Sequence, residues 1–97
     1  MKESEIQKKI LEYLKLQGAY SIKVIQASKA GVPDIICCYK GWFIAIEVKT
    51  PKTKYNTSEL QKLNIEWIKK AQGEAIVAYD IEQVKQLIER IDYERDK

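Results

Sequence analysis

Residues 34–49 have the sequence DIICCYKGWFIAIEVK, two apolar runs separated by Lys40-Gly41. Runs that are apolar on both faces are typical of central strands covered on both sides. A two-residue connection that contains glycine is typical of a tight β-hairpin. The segment therefore predicts two antiparallel strands, over residues 34–39 and 42–49, at the centre of a sheet.

The hairpin also predicts which side chains face each other. With Lys40 and Gly41 as the loop, Asp34 lies opposite Glu47 on one face of the sheet, with Cβ atoms roughly 4.5–5.5 Å apart. Lys49 shares that face, roughly 6.6–7 Å along the strand. Two opposed carboxylates repel unless a cation lies between them, and their oxygens suit a hard divalent cation. A lysine beside a cation that activates water indicates hydrolysis of a phosphodiester in a nucleic acid.

The same residues also fit a purely structural interpretation. In this interpretation Asp34 caps the loop after Pro33, and Glu47 and Lys49 form an ordinary ion pair at a solvent-exposed strand end. Local charge favours the catalytic interpretation, because residues 23–54 carry six lysines and two acids, a balance of +4 in a chain of net charge +3. A basic surplus at the predicted site suits phosphate binding.

Helices and strands flank the hairpin along the chain. Ser4-Glu-Ile-Gln7 and Ser58-Glu-Leu-Gln61 are capping boxes that predict two helices, which end at Gly18 and Gly73. A half-buried strand is expected over residues 20–26, a short buried strand over 75–79, and a last helix from residue 80. The order α-β-β-β-α-β-α predicts an α/β fold, a mixed sheet flanked by helices.

Spacing also predicts which side chains form the core. Residues that recur at helical spacing form the apolar stripe of the second helix: Leu60, Leu63, Trp67, Ile68 and Ala71. Tyr20, Ile22 and Val24 form the inner face of the first strand. Cys37 and Cys38 point to opposite faces of their strand and are expected to be small buried residues rather than a disulfide or a metal site.

Length and composition exclude several classes of protein. Ninety-seven residues, 45% of them hydrophobic, suit a single domain over residues 1–97. Zero histidines exclude Ser-His-Asp and Cys-His catalysis and zinc sites that need imidazole. No apolar run is long enough to span a bilayer, and the N-terminus lacks the apolar core of a secretory signal, so a cytoplasmic location is expected.

Three short motifs resemble a known nuclease group. Pro33-Asp34 followed by Glu47-Val48-Lys49, on this order of elements, resembles the PD-(D/E)XK superfamily with its restriction-endonuclease-like core. The segments 31–34, 47–51 and 58–61 resemble the VRR-NUC (virus-type replication-repair nuclease) family more narrowly. Archaeal-type Holliday junction resolvases are similar in size, first-helix glutamate and motif spacing. The resemblance covers nearly the whole chain.

The resemblance implies roles for individual residues. Asp34 and Glu47 would bind Mg²⁺ or Mn²⁺ with the Val48 carbonyl, and Lys49 would orient or activate the attacking water. Gln61 matches a glutamine that supports the lysine or the scissile phosphate, although its place in the second capping box explains it equally well. Glu5 matches the first-helix glutamate that completes the metal site in relatives, with Glu3 as a competitor for that role.

The resemblance also implies DNA as the partner. Four residues are candidates for contacts with phosphates: Ser28, Lys29, Lys52 and Lys54. A small standalone nuclease of this kind implies a homodimer, whose two sites suit a four-way junction in phage or prokaryotic recombination. The hypothesis is a metal-dependent endonuclease for branched DNA. Its alternatives are a silent DNA-structure-binding module and a sequence-specific restriction-like nuclease.

Overall fold

The computed structural model describes residues 1–95, so the last two residues of the predicted domain 1–97 lie outside the described part. Its elements are α1 (Glu3–Leu16), β1 (Tyr20–Lys23), β2 (Ile35–Tyr39), β3 (Trp42–Val48), α2 (Glu59–Lys70), β4 (Glu74–Ala78) and α3 (Ile81–Arg95). This is the predicted order, and the α/β fold is confirmed. Within residues 1–95, no helix has both the length and the apolarity that crossing a bilayer requires.

The predicted hairpin register is confirmed. Ile35 pairs with Ile46, and Tyr39 pairs with Trp42 beside the turn. Lys40 and Gly41 have φ angles of 50° and 84°, and positive φ at both central residues is the property of the two-residue turn that matches strand twist. β1 joins β2 antiparallel and β4 joins β3 in parallel, which gives the sheet order β1-β2-β3-β4.

The main core lies between the sheet and the helices α1 and α3. The buried residues of this cluster are Ile6, Ile10, Leu14, Ile35, Cys37, Tyr39, Ile44, Ile46, Val48, Ala78, Val84, Leu87, Ile88 and Ile91. A smaller cluster under α2 holds Ala45, Ile65 and Ala75 on the other face. The sheet is therefore well covered on the α1/α3 face and covered by a single helix on the other.

The prediction that both central strands are covered on both sides is wrong on the α2 face. Phe43 is 46% exposed and Cys38 is exposed as well. Tyr20 and Ile22, the predicted inner face of β1, are also exposed. The predicted apolar stripe of α2 is wrong in most of its members, because Leu60, Leu63, Ala71 and Trp67 (47%) are exposed. The physical reason is that α2 has 12 residues, about 18 Å of helix, and it packs mainly over β3 and β4. We call the surface formed by Tyr20, Ile22, Cys38, Phe43 and Trp67 the open face.

The two predicted capping boxes differ in outcome. The Ser58 box forms, because the Gln61 N–H donates to Ser58 Oγ at 3.1 Å and the Ser58 N–H donates to Gln61 Oε1 at 2.9 Å. The Ser4 box is wrong: α1 begins at Glu3, and the Lys2 N–H donates to Glu5 Oε1 at 3.1 Å. Ser4 lies inside the first turn of α1 and so is not its N-cap, and Gln7, its expected partner, is a buried residue of the helix.

The two predicted glycine stops differ in a similar way. Gly18 has φ 84° after α1, as expected of a left-handed stop. After α2 the left-handed residue is Gln72, with φ 71°, rather than Gly73. Gly73 has a packing role, because a Cβ there would lie 2.9 Å from Ile68 Cγ2 and 3.0 Å from Phe43 Cδ1.

Candidate active site

Asp34 is fixed at the end of the hairpin by both neighbouring strands. Its Oδ2 accepts a hydrogen bond from the Val48 N–H at 2.8 Å, across the end of β3. Its carbonyl accepts from the Val24 N–H, also at 2.8 Å, at the end of β1. One carboxylate oxygen of Asp34 is therefore held by the backbone, and the side chain is directed toward the end of the sheet where Glu47 lies.

Glu47 is a buried carboxylate with only one satisfied oxygen. The residue is 2% exposed, and its Oε2 accepts from Gln61 Nε2 at 2.9 Å and lies 3.7 Å from Lys49 Nζ. Its Oε1 is buried with no hydrogen-bond partner. Leaving a buried carboxylate oxygen unpaired is unfavourable, so this atom is suited to bind a ligand.

The electrostatics of Glu47 favour a cation as a partner of its carboxyl group. The pKa of Glu47 is raised to about 8, chiefly by burial and then by Asp34, with a smaller contribution from the charge of Glu3 and an opposing effect of Lys49. A cation bound between Asp34 and Glu47 would lower this pKa, as Lys49 does, because a positive charge favours the ionised form of a carboxyl.

Gln61 links the start of α2 to the site. Its Oε1 accepts from the Ser58 N–H and, at 3.3 Å, from Lys49 Nζ, while its Nε2 donates to Glu47. The capping role and the proposed site role of Gln61 are thus compatible, because one amide group makes both sets of bonds. The result is a connected set of three side chains, Glu47, Lys49 and Gln61, next to Asp34.

The donor set fits a hard divalent cation. Residues 1–95 contain no group of three or more Asp, Glu, Cys or His side chains placed to hold a metal ion. Mg²⁺ is commonly held by one or two carboxylates and keeps several of its waters. Asp34 and Glu47 supply that smaller set, and Glu47 Oε1 is buried and unpaired. The Val48 carbonyl remains a predicted third ligand.

The first-helix acids differ in their relation to the site. Glu5, the predicted ligand, is exposed, and its carboxylate is bonded to the Lys2 N–H at the start of α1. It also lines a surface pocket with Thr50 and Lys52, just beyond β3. Glu3 is the first-helix acid whose charge acts on Glu47. The role of Glu5 stays a prediction. Of the two glutamates, Glu3 is the one whose charge raises the pKa of Glu47.

The four predicted phosphate contacts lie in two loops on the surface. Ser28 and Lys29 are exposed before Gly31, and Lys29 Nζ lies 5.0 Å from the centre of the Trp67 ring. Lys52 is exposed in the loop after β3. Lys54 Nζ lies over the Tyr79 ring at 4.6 Å. Two of the three ammonium groups, those of Lys29 and Lys54, therefore lie over aromatic rings, which favours these positions of the charge.

Sequence reasoning missed Asn64, which holds the loop before Asp34 against α2. Asn64 is buried, and its Nδ2 donates to the Ala30 carbonyl at 3.1 Å. Gly31 packs beside it with φ 81°, and a Cβ on Gly31 would lie 2.8 Å from Leu60 Cγ and 2.9 Å from Asn64 Nδ2. The available signal was a polar residue among apolar ones on the inward side of α2.

Comparisons with known proteins find matches in two nuclease groups. Residues 1–96 match the sequence profile of the family described as archaeal Holliday junction resolvase (Hjc). No curated protein matches the chain. Among solved structures, a VRR_NUC domain is 27% identical with a TM-score of 0.76, covering 90% of this chain and 94% of its own. A VRR_NUC domain protein is 25% identical with a TM-score of 0.75, covering 93% and 87%.

A third solved structure is similar in fold alone. It is the Archaeoglobus fulgidus Hjc, described as a Holliday junction resolvase from an archaeal hyperthermophile. It is 24% identical with a TM-score of 0.56, covering 77% of this chain and 65% of its own. The resemblance to both nuclease groups that the motifs predicted is thereby confirmed.

Proposed function

This chain belongs to the archaeal Holliday junction resolvase family, a family of nucleases that act on DNA junctions, and from that premise we propose that it is a metal-dependent endonuclease for branched DNA. The observation that carries the proposal is Glu47, a buried carboxylate with one unpaired oxygen, beside Lys49 and Gln61. A protein that only bound DNA would have no need for such a carboxylate.

Asp34 and Glu47 would hold Mg²⁺ or Mn²⁺, with the Val48 carbonyl as a further ligand. When bound, the cation would polarise the phosphate and lower the pKa of the attacking water. Asp34 stays oriented for this task through its bond from the Val48 N–H at 2.8 Å. A side chain that is already oriented loses little freedom when a ligand binds.

Lys49 supplies the positive charge that faces the phosphate. Its ammonium is held by Gln61 Oε1 at 3.3 Å and by Glu47 Oε2 at 3.7 Å, and its side chain is largely buried. Three ammonium protons allow Lys49 to keep these partners and still donate to a water or to a phosphate oxygen. Fixed donors aimed at developing negative charge are among the largest contributions to catalysis.

We further propose that the protein is a homodimer formed through the open face. This surface runs across β1, β2, β3 and α2 and is rich in aromatic groups, which are enriched in the cores of interfaces. Monomeric proteins seldom expose such contiguous apolar surface. A second copy is the occupant that suits the proposed activity, because two sites related by a two-fold axis match the symmetry of a four-way junction.

The test is cleavage of labelled four-way junction, flap, nicked and linear duplex DNA in Mg²⁺, Mn²⁺ or EDTA. Wild type is compared with Glu47→Ala, Lys49→Ala and the control Lys85→Ala, a lysine on α3 that pairs with Glu82. We expect metal-dependent cutting of branched DNA by wild type and the control. Both site variants should lose at least 100-fold in rate while still binding DNA.

Other outcomes would support the alternative functions. Tight binding without cutting by folded wild type would identify a DNA-structure-binding module. Cutting of linear duplex at one sequence, with no preference for branches, would identify a restriction-like nuclease.

A further inference from the structure

An exposed tyrosine lies in the loop that joins β3 to α2. Tyr55 is 85% exposed, although tyrosine is a large and mostly apolar residue. Lys54 Nζ lies 5.2 Å from the centre of its ring, so this ammonium is placed over the ring of its neighbour. The rest of the ring surface is open to a ligand.

The loop that carries Tyr55 is held by a compact set of hydrogen bonds. The Thr50 N–H donates to Thr53 Oγ1 at 2.9 Å, and the Thr53 N–H donates to Thr50 Oγ1 at 3.2 Å. The Asn56 N–H donates to the Thr53 carbonyl at 2.8 Å. Tyr55 therefore projects from a structured turn, and its exposure is a property of the fold.

A chain of contacts connects Tyr55 to the candidate active site. Lys54 Nζ, which lies over the Tyr55 ring, also lies 4.6 Å from the centre of the Tyr79 ring. Tyr79 follows Ala78, whose carbonyl accepts a hydrogen bond from the Lys49 N–H at 2.9 Å. On its other side the loop leads into α2 and Gln61, which bonds Lys49 and Glu47. The loop that carries Tyr55 therefore adjoins the candidate active site through both of these connections.

An aromatic ring beside a fixed ammonium suits one feature of branched DNA. In continuous duplex both faces of every base are covered by its neighbours, so no base face is available to an aromatic ring. Flaps, gaps and the opened centre of a junction expose base faces, on which aromatic side chains stack. The adjacent ammonium would attract the phosphate of the same nucleotide.

We propose that Tyr55 stacks on an exposed base at the branch point and thereby selects branched DNA over continuous duplex. This inference rests on the proposed function, because it concerns the substrate of the same site. Trp67 is less suited to this task, because it is only 47% exposed and lies on the open face, which the proposed dimer would bury. Tyr55 is a specificity residue, and the chemistry of cutting stays with Lys49 and the two carboxylates.

The inference can be tested without relying on cleavage. A flap substrate with 2-aminopurine as the first unpaired base is bound by the Lys49→Ala protein in Mg²⁺, and quenching of the probe reports stacking. Tyr55→Ala is compared with the conservative Tyr55→Phe. The control is Tyr93→Ala, an exposed tyrosine next to Asp92, which bonds the hairpin turn at the opposite end of β2 and β3.

We expect quenching with the parent protein, with Tyr55→Phe and with Tyr93→Ala, and its loss with Tyr55→Ala. The preference for flap over linear duplex, measured as a ratio of Kd values, should fall about tenfold in Tyr55→Ala only, the size expected for one lost base stack. Unchanged quenching and unchanged preference in Tyr55→Ala would overturn the inference. If wild type cuts no DNA while Tyr55→Ala still loses quenching, the proposed function fails and this inference holds.

Discussion

At the scale of single residues, the candidate site depends on the conflict between burial and charge at Glu47. Burial and the charge of Asp34 favour its protonated form, whereas Lys49 favours its ionised form. Without a cation, the raised pKa of Glu47 makes the folded state less stable at neutral pH than at acidic pH. With one, the same burial strengthens the attraction between carboxylate and metal, because the local dielectric is low.

Glu47 should make the metal-free protein less stable as pH rises. Its pKa is raised from an ordinary value of 4.5 to about 8, so the folded state holds the proton more tightly than the unfolded state. The stabilisation is complete below about pH 4.5 and is lost as pH rises to about 8. Glu47→Gln removes this dependence and should raise the Tm at pH 8.5 by several degrees, since 1 kcal/mol corresponds to about 4–8 °C in a domain of this size.

Thermal unfolding in EDTA between pH 5 and 8.5 measures this effect. Glu59→Gln, at an exposed glutamate in the first turn of α2, is the matched control and should follow wild type. Added Mg²⁺ should raise the Tm of wild type most at high pH and that of Glu47→Gln little. A wild-type Tm that follows the Tm of Glu47→Gln across this range would contradict the assignment.

Gln61 allows its two roles to be separated. In Gln61→Glu a carboxylate oxygen still accepts from the Ser58 N–H, so the cap survives, but the donor to Glu47 is replaced by a negative charge. We expect cleavage to fall at least tenfold. Gln83→Glu is the matched control, because Gln83 Oε1 accepts from the Tyr79 and Asp80 N–H groups at the start of α3. Equal rates for the two variants in a cleavage assay would argue against a site role for Gln61.

At the scale of elements, α2 does more than cover the sheet. Its first turn holds Glu47 and Lys49 through Gln61, and one turn later Asn64 holds the loop before Asp34 through the Ala30 carbonyl. Residues far apart in the chain thus meet through one helix. The close packing of Gly31 against Leu60 makes this arrangement sensitive to a single added methyl group.

Gly31→Ala should therefore cost more stability than Gly18→Ala. Both glycines have φ near 80°, so both variants bear the left-handed penalty of about 1 kcal/mol. At Gly18 a Cβ meets nothing within 4 Å, whereas at Gly31 it meets α2, which adds about 1–3 kcal/mol of overpacking. Urea unfolding of the two variants measures the difference, and equal losses would show that the loop moves freely away from α2.

At the scale of the whole molecule, coverage of the sheet is asymmetric. Two helices bury one face, and one helix leaves Tyr20, Ile22, Cys38, Phe43 and Trp67 exposed on the other. The proposed dimer would bury this open face. Two apolar surfaces that are removed from water together stabilise the assembly in proportion to the area they bury.

Ile22→Lys should convert the dimer to monomer. A charge buried within an apolar interface loses its hydration without gaining a partner, so we expect the dimer Kd to rise at least 100-fold. Sedimentation velocity over a range of concentrations measures it. Leu16→Lys, at an exposed leucine at the end of α1, is the control and should stay dimeric. A wild type that is monomeric at micromolar concentration would contradict the proposed interface.

The sequence by itself determined the hairpin and the position of the catalytic candidates within it. Lys40-Gly41 dictates the turn and the turn dictates the register, whose last observed pair is Ile35 with Ile46. Asp34 and Glu47 are the next residues along the two strands. These are local relations, set by backbone geometry over about 16 residues. The Ser58 cap was predictable for the same reason, because all of its bonds lie within one helical turn.

Only the tertiary structure decided which apolar residues are exposed and which polar atoms are buried without a partner. The exposure of Trp67 and Tyr20, the unpaired Oε1 of Glu47 and the position of Lys54 over Tyr79 all depend on where α2 and its preceding loop rest on the sheet. Spacing assigns an apolar stripe to a helix, but the extent of sheet that the helix covers follows from contacts between distant parts of the chain. Burial is a property of the packed molecule, and it is what raises the pKa of Glu47 and leaves its second oxygen available to bind a cation.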